Sequence, residues 1–150
     1  MKKIFFFIGL VLFAGDLMAQ PETGQPISAF KVIKRDSVVY LLTAPNQLEK
    51  SYDIYFDAVK YSVTLTDAST IKFVQTKDQN FRTKEGFFAG TPYSEIKKQK
   101  GHSNVFEFKG WGKFIMLKSG WYAAFDHNTP LVPTSPVLFF FKRHVPQQQE

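Results

Sequence analysis

The sequence predicts an α+β domain: an antiparallel β-sheet in two meanders, packed by one short helix and built without disulfides. Three observations predict it. β-prone runs fill much of residues 29–75 and return within residues 105–143, with clean period-two alternation in Tyr61–Thr66 and Val105–Lys109, the signature of half-buried strands. Between these stretches, Thr91-Pro92 opens a segment with helical punctuation and Lys97, Lys98, Lys100 and Gly101 close it. The 150 residues include no cysteine, so packing alone must hold the body together.

Residues 1–19 read as an export signal. Lys2 and Lys3 precede an apolar run from Ile4 to Ala14, and Met18-Ala19-Gln20-Pro21 offers a cleavage point after Ala19. The run falls short of the roughly 18–20 apolar residues of a spanning helix, so cleavage leaves no membrane span. The protein is therefore expected in the periplasm or outside the cell. Residues 20–28 are polar with proline and glycine and read as a flexible linker, residues 29–145 as a single domain, and residues 146–150 as a disordered tail.

Within the domain, Ala29–Lys34 and Val38–Thr43 are β-prone runs, with Arg35-Asp36-Ser37 read as the hairpin turn between them. Residues 44–47 form a loop and Tyr52–Phe56 a strand, after which Asp57-Ala58 turns. Tyr61, Val63 and Leu65 alternate with Ser62, Thr64 and Thr66, giving a strand with one wet face, and Thr70–Gln75 runs back beside it. The helix is expected over Pro92–Lys100; it is too short to stand alone in water and must lie on the sheet. The second meander takes Val105–Lys109, an interruption at Gly110-Trp111-Gly112, Lys113–Lys118, a tight turn at Lys118-Ser119-Gly120, and Trp121–Phe125. Val137–Arg143 closes the chain as a strand apolar on both faces, which places it centrally or beneath the helix.

The phrase Phe81-Arg82-Thr83-Lys84-Glu85-Gly86, Gly90-Thr91 and Glu95-Ile96-Lys97, followed by Gly110-Trp111-Gly112 and Ser119-Gly120-Trp121, resembles one found in small exported bacterial domains without known activity. The likeness covers Ile71–Arg143. More distantly, the Gly-Thr helix entry before an antiparallel sheet is similar to the outer-membrane assembly lipoprotein and β-lactamase-inhibitor-protein folds, which are protein-binding modules. The sequence departs from them in having one helix per unit and no cysteine to carry a lipid.

Catalytic signatures are few. Thiol chemistry has no residue to use, and no G-x-S-x-G elbow, phosphate-binding loop or dinucleotide fingerprint occurs. His102, His127 and His144 stand apart from one another, without metal-ligand spacing, so neither metal nor cofactor is expected. Asp53, Asp57, Glu85, Glu95, Glu107 and Asp126 could meet across a sheet, as a sugar hydrolase requires, but spacing singles out no pair. From Lys97 to Lys118, six lysines and Glu107 interleave with Phe106, Phe108, Trp111 and Phe114. That mixture suits single-stranded nucleic acid, but the export signal and the lack of arginine argue against it, and alternation sends Phe106 and Phe108 to the core.

The net charge of +6 serves solubility or affinity for acidic surfaces. Trp111, between glycines, reads either as a core plug or as an exposed anchor, with Trp121, Tyr122 and Lys113 completing a binding edge. The expected function is a non-catalytic binding module of the envelope, not an enzyme, contacting an unknown protein or an anionic glycan. The alternatives are a small hydrolase acting on glycans or peptides, and a carrier whose apolar void is lined by Phe87, Phe88, Phe139 and Phe141.

Overall fold

Nine antiparallel strands form one sheet in the computed structural model, which describes residues 20–99 and 104–144. In chain order they are β1 (Lys31–Ile33), β2 (Val39–Ala44), β3 (Gln47–Phe56), β4 (Val59–Leu65), β5 (Ile71–Thr76), β6 (Val105–Phe108), β7 (Gly112–Met116), β8 (Tyr122–Phe125) and β9 (Phe139–Arg143). The spatial order is β1-β3-β4-β5-β9-β8-β7-β6, with β2 also paired to β3. The leader, Lys100, Gly101 and the C-terminal tail, with the expectations placed on them, lie outside the described residues.

The α+β expectation is corrected to a nearly all-β fold. Among the described residues, helical structure amounts to α1 (Tyr93–Lys98) and a three-residue 3₁₀ turn, Ile27–Ala29. The helix starts one residue later than its punctuation implies, and Thr91 does not cap it. Thr91 is buried, and its hydroxyl accepts from the Phe88 N–H at 3.0 Å. The first-turn donors go instead to a neighbouring loop: Tyr93 N to Ser135 O at 2.8 Å and Ser94 N to Pro133 O at 2.9 Å. No helix among the described residues is long and apolar enough to cross a membrane.

Two meanders are present as expected, but a strand rather than the helix fastens them. β9 pairs with β5 on one side, Gln75 opposite Phe141, and with β8 on the other, Ala123 opposite Phe140. Its doubly apolar sequence follows from that central place: Phe140 fills the main core while Phe141 fills a second cluster on the other face. The main core gathers Ile54, Tyr61, Val63, Val74, Ile115 and Ala123 from the strands. Phe81, Phe87 and Ile96 cover it from the segment that joins the meanders, and Val137 from the β8–β9 connection.

The hairpin expected at residues 35–37 does not form. β1 and β2 both pair with β3, Ile33 opposite Asp53 and Val39 opposite Ser51, so residues 34–38 are an excursion within one interrupted edge strand. Residues 20–28 are likewise no free linker. Gly24 N donates to Ile71 O, Ile71 N to Gln25 O and Ile27 N to Ser69 O, which strings the segment along the start of β5.

The β3–β4 turn is the tight two-residue kind, with Asp57 at φ 48° and Ala58 at φ 60°. An alanine Cβ is strained in that region and glycine is not. Ala58→Gly is expected to stabilise the fold by roughly 0.5–1 kcal/mol, read as a raised denaturation midpoint at unchanged slope.

Candidate functional site

The polar face of the first meander carries the densest chemistry. Strand alternation puts Glu49, Ser51 and Asp53 of β3 on one side, and the register sets Ser62 opposite Asp53 and Thr64 opposite Ser51. The 34–38 excursion then folds Arg35 onto them. Its Nε donates to Asp53 Oδ2 at 2.8 Å and its Nη2 reaches Asp53 Oδ1, a two-point clasp. Its Nη1 donates to the Ser51 carbonyl and hydroxyl, both at 3.0 Å. Ser62 Oγ donates to Asp53 Oδ1 at 2.7 Å, and Lys60 Nζ lies 3.0 Å from Oδ2.

Asp53 is thus a buried carboxylate, its side chain 6% exposed, holding a guanidinium, an amine and a hydroxyl. Burial raises its pKa, but the hydrogen bonds from Arg35, Ser62 and Lys60 outweigh burial and hold it at about 2. A parallel cluster lies further along the same face. Glu49 accepts from Thr64 Oγ1 at 2.9 Å and pairs with Lys72. Its pKa too is lowered, because these bonds outweigh burial.

Arg35, Asp53, Lys60 and Ser62 open into a cleft of about 480 Å³. Val39 and Leu41 form an apolar wall, and Thr76, Lys77 and Asp78 close the far end. The cleft offers a hydroxyl, a carboxylate and amines beside an apolar shelf, a set suited to holding and attacking a polar backbone.

The second meander supplies an aromatic pocket on the same face of the sheet, with a volume of about 120 Å³. Trp111 sits 4.5 Å from the Phe114 ring and 5.4 Å from Phe141, and Tyr122 stacks on Phe141 at 4.9 Å. The Trp111 indole donates to Leu42 O at 3.1 Å, so β2, on the far edge of the sheet, reaches round to the β6–β7 turn. A Cβ on Gly112 would stand 2.5 Å from the Phe114 ring, the close approach that glycine here permits.

The four residues expected as one binding edge separate. Trp111 and Tyr122 share the aromatic pocket. Trp121 is 1% exposed in the main core on the opposite face, stacked on Tyr61 and donating to Gln20 Oε1 at 3.1 Å. Lys113 is buried and donates to Thr129 O at 2.6 Å. Phe106 and Phe108, expected in the core, are 42% and 41% exposed at the pocket mouth. The carrier void does not assemble: Phe87 is in the main core, Phe88 lies exposed beneath Arg82, and Phe139 and Phe141 face the other way.

The sequence reading missed the Asp53 cluster. Its strongest partner comes from 18 residues upstream, in a segment that looked like a turn. The available signal was the alternation of Glu49, Ser51 and Asp53 against Lys60, Ser62 and Thr64.

A family model described as the peptidase C13 family matches residues 16–114. That span contains the whole Asp53 cluster and stops before β8. Among curated proteins, none matches the sequence. The crystal structure of the uncharacterized protein yfeY from Escherichia coli is similar with a TM-score of 0.51 at 15% identity, over 81% of this chain and 92% of that one. At such identity the likeness concerns fold alone. It agrees with a resemblance to small uncharacterised bacterial domains. The outer-membrane lipoprotein and inhibitor-protein folds are not supported, since a nine-stranded sheet with one six-residue helix departs from them. The family match also overturns the expectation of a non-catalytic module that is not an enzyme, and favours the hydrolase alternative.

Proposed function

The chain belongs to the peptidase C13 family, and from that premise we propose that it hydrolyses peptide bonds in the cleft over Asp53. One observation carries the placement: Ser62 Oγ and Lys60 Nζ converge on a single buried carboxylate in an open cleft. The sequence has no cysteine, so the attacking atom is an oxygen rather than a sulfur.

Ser62 Oγ is the nucleophile in this reading. Asp53, held strongly acidic chiefly by the Arg35 guanidinium, is too weak a base to take the hydroxyl proton; it orients the hydroxyl and the amine instead. Lys60 receives the proton as the Ser62 oxygen bonds to the peptide carbonyl carbon, and passes it to the leaving amine as the C–N bond breaks. Water then cleaves the ester, returning a proton to Ser62. With export expected from residues 1–19, this reading takes its substrates from peptides outside the cytosol.

The test is digestion of a mixed peptide pool followed by mass spectrometry. Wild type is expected to release new termini, and Ser62→Ala to lose roughly 10²-fold or more of that rate while keeping its fold. Equal rates from both proteins, or no cleavage by wild type, would overturn the reading.

A further inference from the structure

We propose that the aromatic pocket is a binding site for a planar aromatic acid, one ring seated against the packed rings of Trp111, Phe114, Tyr122 and Phe141 with its carboxylate on Arg143. The proposal stands apart from hydrolysis at Asp53 and does not rest on it. The pocket volume of about 120 Å³ suits a single ring; an apolar cavity of roughly 150 Å³ takes up benzene. Its wall is a set of rings packed on one another at centroid distances of 4.5–5.4 Å, so a ligand ring lies against their outward faces and edges, where stacked and edge-on contacts are available.

Arg143 supplies the charge. Its guanidinium lines the same pocket and lies 5.4 Å over the Trp111 ring. The four ion pairs among the described residues employ Arg35, Lys60, Lys72 and Lys142, which leaves Arg143 without a carboxylate. A half-buried guanidinium fork with no ion pair among the described residues, beside a ring-sized apolar slot, matches a carboxylate one or two bonds from an aromatic ring. The site is pre-formed, because the Trp111 indole is pinned to Leu42 O and Gly112 gives the Phe114 ring its space. Two sources carry this chemistry: a free aromatic acid, and the C-terminal aromatic residue of a peptide.

The experiment titrates the full chain with 3-phenylpropionate, its primary amide and propionate, and with Gly-Gly-Phe as free acid and as C-terminal amide. The readouts are calorimetry and the Trp111 indole N–H resonance, assigned with Trp111→Phe. The acid is expected to bind and shift that resonance, the amide to bind at least roughly tenfold more weakly, and propionate not to bind. Arg143→Gln should bind acid and amide alike. If Gly-Gly-Phe follows the acid and its amide does not, the source is a peptide terminus; if only the small acid binds, the source is a free acid. Equal binding of acid and amide by wild type, an undiminished preference in Arg143→Gln, or no shift of the indole by about 10 mM acid would overturn the proposal.

Discussion

Asp53→Asn is expected to destabilise the protein by about 3 kcal/mol and to abolish peptide hydrolysis together with it. The amide keeps the shape of the carboxylate but removes its charge, leaving Arg35, whose side chain is only 18% exposed, without a counter-charge; breaking a buried pair from one side costs about 3–5 kcal/mol. The low end applies because Arg35 retains the Ser51 carbonyl and hydroxyl. Replacing Arg35 and Asp53 together with leucine should cost less than either single change predicts, since no buried unpaired charge remains and Lys60, half exposed, is solvated. The same carboxylate sets an acid limb. Its pKa is lowered by folding, from 3.8 to about 2, so its contribution is complete above pH 4 and disappears as the pH falls through 2. That contribution is roughly 2–3 kcal/mol, and the acid limb of a denaturation profile should flatten in Asp53→Asn.

Phe140→Ala is expected to cost about 3–5 kcal/mol and to unfold both meanders in one transition. Phe140 is fully buried, 5.3 Å from the Phe81 ring, on the strand that both meanders share. Were the helix the fastener, loss of Phe140 would loosen one meander and spare the other. Fluorescence of Trp121, in the main core, and the indole resonance of Trp111, in the second cluster, should therefore be lost at the same denaturant concentration.

How much of this was legible follows from how local each signal is. The β4 strand and the central place of β9 could be read because period-two alternation, and its absence in residues 137–141, are properties of single strands. The Asp57-Ala58 turn showed itself by polarity and spacing, although its left-handed backbone did not. The edge was misread because residues 35–37 have turn composition, whereas β3 is long enough, at ten residues, to pair with β1 and β2 in succession. The helix was overweighted: Thr91-Pro92 is good helix-entry chemistry, but the loop at Pro133–Ser135 supplies the donors' partners and α1 contributes one fully buried side chain, Ile96. Trp111 and Trp121 looked like one edge because each follows a glycine beside a turn of the second meander. Strand parity sends them to opposite faces, and parity was recoverable only once the Gly110-Trp111-Gly112 segment was known to contain the hairpin turn itself.

The most direct test of catalysis by a hydroxyl at Asp53 is covalent capture. Treating the folded protein with a fluorophosphonate, then sequencing the labelled fragment by tandem mass spectrometry, is expected to place the adduct on Ser62 and to find it absent after peptide substrate has competed. An unlabelled protein, or an adduct elsewhere that substrate does not displace, would contradict it.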